Sequence, residues 1–107
     1  MAVSRARNYQ VVYARSVVEF MRREVSSRRV YERLAAYRSI LAVFPEVGEV
    51  YDPVYEAARP LFPCRWVAVP GTPFALYYGV DEGARRVAVF AIEWMRANPT
   101  GRFSEGR

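Results

Sequence analysis

The sequence has no lysine and no histidine, and only one cysteine, Cys64, among its 107 residues. A lone thiol cannot close an internal disulfide, and without histidine it has no partners for a zinc constellation. No metal and no cofactor is therefore expected. All 16 basic residues are arginine, and a guanidinium does not deprotonate near neutrality, so none of them serves readily as a general base. Also missing is any apolar run near the roughly 18 to 20 residues that span a bilayer. The opening stretch, MAVSRARNYQ, lacks the apolar core of an export signal. The expectation is a cytoplasmic protein with no membrane partner.

What is present is ordinary globular composition, 52% apolar and 25% charged, in a length that supports one hydrophobic core and not two. A second catalytic domain is excluded. The net charge of +5 favours an anionic partner, either nucleic acid or an acidic protein.

Hydrophobic periodicity divides the chain. Tyr9 to Ala14 is a β-branched and aromatic run that predicts a first strand. Ser16 and Glu19 make an S-x-x-E capping box before Phe20, Met21 and Val25, which predicts a helix. Ser26 to Arg29 interrupts it and offers another N-cap. Val30, Leu34, Tyr37, Leu41 and Phe44 then recur at spacings of four and three, the seam of a second helix that Pro45 stops. From Glu46 to Pro63 the prolines and glycine predict a loop, with a short strand near Val50. Cys64 to Val69 is the next strand, PGTP a turn, and two further strands flank DEGA. In these, Phe74, Leu76, Tyr78 and Val80, and then Ala88, Phe90, Ile92 and Trp94, alternate onto one face.

The expected fold is α+β, of order βααβββ, with an N-terminal helical hairpin packed on one face of a mostly antiparallel sheet. The other face is left open, rimmed by arginines and suited to a polyanion, with Tyr77 lining it. Residues 1–99 form the single domain and residues 100–107, without periodicity, a flexible tail.

Several of these residues also form a pattern. Phe74 is followed by Tyr78-Gly79-Val80-Asp81, a turn, the strand Val87-Ala88-Val89-Phe90-Ala91-Ile92, and a closing Arg96. Pro45 and Gly48 follow the second helix as P..G, and Arg65 opens the strand after the long loop. In order and spacing this resembles the RelE/ParE superfamily, the stable toxins of bacterial type II toxin–antitoxin pairs, over most of residues 9 to 99. The resemblance implies a cognate antitoxin protein and one of two targets. RelE-like members cut messenger RNA on the ribosome without a metal, and ParE-like members poison DNA gyrase.

Metal-free cleavage needs a base for the 2′-hydroxyl, an acid for the leaving oxygen and cations for the phosphorane. By the resemblance, Arg96 and Arg65 hold phosphate, and by elimination Glu93 is the base. Arg59, Tyr77 and Trp94 are the candidate nucleic-acid or partner contacts, Trp94 as a stacking platform or as a core residue. The sequence departs from the cleaving toxins where Ala75 replaces an arginine after Phe74 and where Trp94 replaces a histidine. Beyond Arg96 it has Phe103 and neither tyrosine nor histidine. These departures favour a gyrase poison. The alternative of another class is a non-toxic, degenerate homologue acting as a basic protein- or RNA-binding module.

Overall fold

The computed structural model describes residues 8–51 and 63–95. Strand β1 (Gln10–Tyr13) leads directly into helix α1 (Arg15–Glu24), followed by α2 (Arg28–Ala36), α3 (Arg38–Val43) and a 3-10 turn, Pro45–Val47. Strands β2 (Glu49–Val50), β3 (Arg65–Ala68), β4 (Phe74–Asp81) and β5 (Arg86–Trp94) complete the fold. They form one sheet in the order β1-β5-β4-β3-β2. Only the β1–β5 pair is parallel. The expected α+β architecture is present, with the helices on one face of a mixed, mostly antiparallel sheet. The expected flexible tail, 100–107, lies outside the described residues.

The helix starts are set differently from each other. Ser27 caps α2 with its hydroxyl, which accepts from the Val30 amide at 3.3 Å, as the N-cap expected within Ser26 to Arg29. The Ser16–Glu19 box does not form: Ala14 occupies the N-cap of α1 and no side chain caps it. The reason is register. The Ala14 amide is held by the Val89 carbonyl at 2.8 Å, so the chain turns straight out of the sheet and Ser16 falls inside the first turn.

Val30, Leu34, Tyr37 and Leu41 are buried at the predicted spacing, although the helix breaks at Tyr37 into α2 and α3. Phe44 leaves this seam. Its backbone is non-helical (φ −126°, ψ 73°), its side chain is 57% exposed, and Pro45 takes the buried place.

The core lies between these helices and the sheet, with Val17, Met21, Leu34 and Leu41 packed on Leu76, Tyr78, Val87 and Val89. The inward pattern of β5 corrects the expected alternation. Tyr77 pairs with Ala91 whereas Tyr78 pairs with Val89, so Phe90 is an extra residue, a β-bulge. Before it Val87 and Val89 point at the helices; after it Ile92 and Trp94 do. Ala88 and Phe90 therefore face the other way. Trp94 packs on Phe74 at 4.4 Å between ring centres, and Phe74 meets Phe20 of α1 edge-on at 5.9 Å.

Tyr78, fully buried, ties the helical layer to the sheet. Its hydroxyl donates to the Pro45 carbonyl at 2.7 Å and accepts from the Gly48 amide at 2.9 Å. Arg65 completes the knot by donating to the Gly48 carbonyl at 2.6 Å. Glycine is required at 48 because a Cβ there would lie 2.5 Å from the Trp66 carbonyl oxygen and 2.8 Å from the Tyr78 hydroxyl. Replacing Tyr78 with Phe leaves a buried donor and a buried acceptor unmet, so Tyr78→Phe should lower unfolding free energy by about 2 to 3 kcal/mol. Urea titration measures this, and a loss below about 0.5 kcal/mol, the level of a neutral surface change, would contradict the role given to the hydroxyl.

The tyrosines also set the pH range of the fold. Burial pushes the Tyr13 phenol up to about 12; its hydroxyl donates to the Leu34 carbonyl at 2.8 Å. Burial likewise raises Tyr37, Tyr78 and the Cys64 thiol. A group whose pKa is higher in the folded state gives stability that is complete below its unfolded pKa and is lost as pH rises through the folded value. Stability should therefore be level through neutrality and fall from about pH 9, the thiol's ordinary value, to about pH 12. Urea midpoints across that range measure the fall, and a midpoint that does not change up to pH 12 would refute it.

Candidate functional site

The sheet face away from the helices is built from the residues that alternate out of the core. In register across it stand Trp66 with Tyr77, Tyr77 with Ala91, Ala75 with Glu93, Gly79 with Ala88, and Asp81 with Arg86. Gln10 and Val12 of β1 extend it beyond Arg86 and Ala88. Its two halves differ. Towards β1 the face is exposed at Val12, Arg86 and Ala88, and a cleft of about 370 Å³ opens over Gly79, Ala88 and Phe90 with Asp81 and Arg86 at its end. Towards β3 it is covered: Ala75 and Tyr77 are buried.

Tyr77 is the centre of the covered half. Its ring meets Tyr51 edge-on at 5.3 Å, and its hydroxyl donates to a Glu93 carboxylate oxygen at 3.2 Å. The structure thus brings together two of the residues singled out from sequence, an acceptor carboxylate and a phenol. Tyr51 was not among those residues. It sits just after β2, where neither period nor motif marks it, and the β2–β3 pairing together with the Tyr51 amide bond to the Cys64 carbonyl at 2.9 Å brings it over the sheet.

The other candidates are elsewhere. Arg65 pairs with Tyr78 and so shares the helix-side face, where its guanidinium is bound to Gly48. Trp94 is on that face too, packed against Phe74 with the rings tilted by 44°. Arg59 and Arg96 lie outside the described residues. Among the described residues no three histidine, cysteine, aspartate or glutamate side chains gather as metal ligands would. Among the described residues no helix is long and apolar enough to cross a membrane.

The far face is also not the basic one. Its described charged residues are Arg86, Asp81, Glu93 and Glu49, the last in register with Trp66. Arginine is concentrated instead on the helices, where Arg15, Arg22, Arg23, Arg28, Arg29, Arg33 and Arg38 are all exposed. Glu19, Glu24 and Glu32 offset three of them, so residues 15–43 carry +4 of the total +5. Two exposed ion pairs, Arg23–Glu24 at 3.0 Å and Arg28–Glu32 at 3.3 Å, neutralise part of this layer and contribute little to stability.

A two-part helical layer on a five-stranded sheet with a parallel first strand defines the fold as that of the RelE-like toxins. Solved structures share it. The archaeal RelE–RelB complex of Pyrococcus horikoshii matches with a TM-score of 0.62 at 15% identity, over 84% of this chain and 98% of that one. The RelBE2 toxin–antitoxin complex of Mycobacterium tuberculosis gives 0.61 at 16%, over 81% and 91%. A double arginine-to-alanine variant of the E. coli toxin RelE in the free state gives 0.60 at 15%, over 94% and 97%. No protein-family model and no curated protein matches the sequence.

The Tyr77 geometry separates packing from hydrogen bonding. Tyr77→Phe keeps the ring against Tyr51 and should cost about 1 kcal/mol, one hydrogen bond. Tyr77→Ala empties a buried site and should cost about 3 kcal/mol or more. Equal losses in chemical denaturation would show that the ring contact is not what covers this half of the face.

Proposed function

We propose that this chain is the toxin of a type II toxin–antitoxin pair, acting in the cytoplasm and neutralised by a cognate antitoxin protein. The observation that carries the reading is the fold, shared along nearly the whole length of toxins solved together with their antitoxins. The exposed arginine layer supports an acidic neutralising partner.

Between the two targets, the far face favours a protein-directed poison of the gyrase type. Tyr77 is in register with Trp66 and Ala91, and Ala75, two residues before it on the same face, with Ala68 and Glu93, so none of these register partners is an arginine. Arg65, the arginine expected beside a scissile phosphate, is turned to the other face and bound to a backbone carbonyl. Ribosome-dependent cleavage is the second reading, and the Tyr77–Glu93 hydrogen bond favours it. A phenol and a carboxylate 3.2 Å apart could divide the acid and base roles.

The test is expression from a tightly repressed promoter in bacteria, following growth, messenger 5′ ends and gyrase-linked DNA breaks together. The expected outcome is growth arrest with broken DNA, relieved by Arg96→Ala. Arrest with codon-phased cuts would instead assign RNA cleavage. Undisturbed growth would overturn the toxin reading in favour of a non-toxic binding module.

A further inference from the structure

The charge of the helical layer is densest where α1 passes into α2. Residues 22–33 hold Arg22, Arg23, Arg28, Arg29 and Arg33 against Glu24 and Glu32, a net +3, and all seven side chains are exposed. Val17 and Met21 of α1, and Val30 and Leu34 of α2, turn into the core. The helical period sets Arg22, Arg23, Arg28 and Arg29 about 120° to 140° round from them, on the side away from the sheet. Arg33 is turned to the flank, where a Cβ on Gly71 would lie 3.0 Å from its Nε. Arg23 and Arg28 make exposed pairs with Glu24 and Glu32, with which water competes. Among the described residues Arg22 and Arg29 have no hydrogen bond and no ion pair.

What is missing from this surface selects its partner. The large apolar side chains left exposed among the described residues are Val12, five between Ile40 and Val50, and Trp94, and none belongs to α1 or α2. A protein partner takes much of its binding energy from apolar and aromatic anchors at the centre of the contact, and this surface has none. Nor does it offer a stacking platform to unpaired bases, because Phe20 and Tyr31, the aromatic rings of these two helices, are packed against the core. Guanidinium groups match phosphate oxygens two bonds at a time, and a nucleic-acid backbone needs only such contacts.

We propose that the outer side of the α1–α2 connection, through Arg22, Arg23, Arg28 and Arg29, binds the phosphodiester backbone of duplex nucleic acid without reading its sequence. DNA and RNA duplexes share that chemistry. Four arginines at phosphates give dissociation constants of roughly 1 to 100 μM near physiological salt and a strong dependence on ionic strength. The assignment does not depend on the toxin reading, and an acidic antitoxin drawn to the same charge would compete with the duplex.

Fluorescence anisotropy of the purified chain with labelled DNA and RNA duplexes of about 20 base pairs, at salt concentrations from about 50 to 200 mM, tests it. Both duplexes should bind, with an affinity unchanged by shuffling the sequence and a log–log salt slope of about −4, roughly −0.9 for each of the four arginines. Arg22→Glu and Arg29→Glu should each weaken binding about tenfold. Arg86→Glu, the same change of charge on the far face, should weaken it less than about threefold, with the fold of every variant checked by circular dichroism. Binding of one kind of duplex and not the other would uphold the site and name its nucleic acid. Equal losses from all three substitutions would show a response to net charge alone and overturn the assignment. So would a chain that binds neither duplex, or that binds a single strand more tightly. Polyglutamate bound in preference to both duplexes would overturn it too, and give the surface to an acidic protein.

Discussion

One phenol holds the two layers of this molecule in register. The Tyr78 hydroxyl, fully buried at the centre of the sheet, accepts from the amide of Gly48 and donates to the carbonyl of Pro45. Both backbone groups belong to the turn where the helical layer ends and the sheet resumes, and both would otherwise be buried without partners, at a cost of roughly 1 to 3 kcal/mol each. Proline at 45 stops α3 at the right place, and glycine at 48 lets the chain pass against the Trp66 carbonyl. Arg65 fixes the remaining carbonyl from the neighbouring strand. Where β2 joins the sheet, and hence where Tyr51 lands on Tyr77, follows from that knot.

The second constraint is the bulge at Phe90. A strand of strict alternation would have sent Ala88, Phe90, Ile92 and Trp94 to one side. The extra residue reverses the phase half-way along β5, so Val87 and Val89 share the core with Ile92. The same reversal leaves Ala88 and Phe90 to floor the cleft on the far face and brings Glu93 within reach of Tyr77. The two halves of that face therefore differ: one is open and one is covered by aromatic packing.

Much of the fold was legible in the sequence, because the residues that carried the family resemblance are structural. Tyr78 is the hub, Pro45 and Gly48 are its two partners, and Asp81 caps the hairpin turn by accepting from the Ala84 amide at 3.0 Å. A signature of this kind reports architecture and says little about chemistry. What was not legible depends on distance along the chain. Nothing local to Phe90 marks a bulge that arises from pairing with β4. The Ser16 box has the right spacing, but the Val89 carbonyl draws Ala14 into the cap. Arg65 has the right place in order, yet its register opposite Tyr78 turns it to the helix side. Phe44 continues the helical period on paper and leaves it only because Pro45 changes the backbone before it.

The central claim is that the Tyr78 hydroxyl joins the helical layer to the sheet as a single cooperative unit. Native-state hydrogen exchange at the Gly48 amide tests it most directly. If the claim holds, this amide, although it lies in a turn, exchanges only on global unfolding, as slowly as the central amides of β4. Exchange at the rate of an open loop would contradict it, because the turn would then be opening without the sheet.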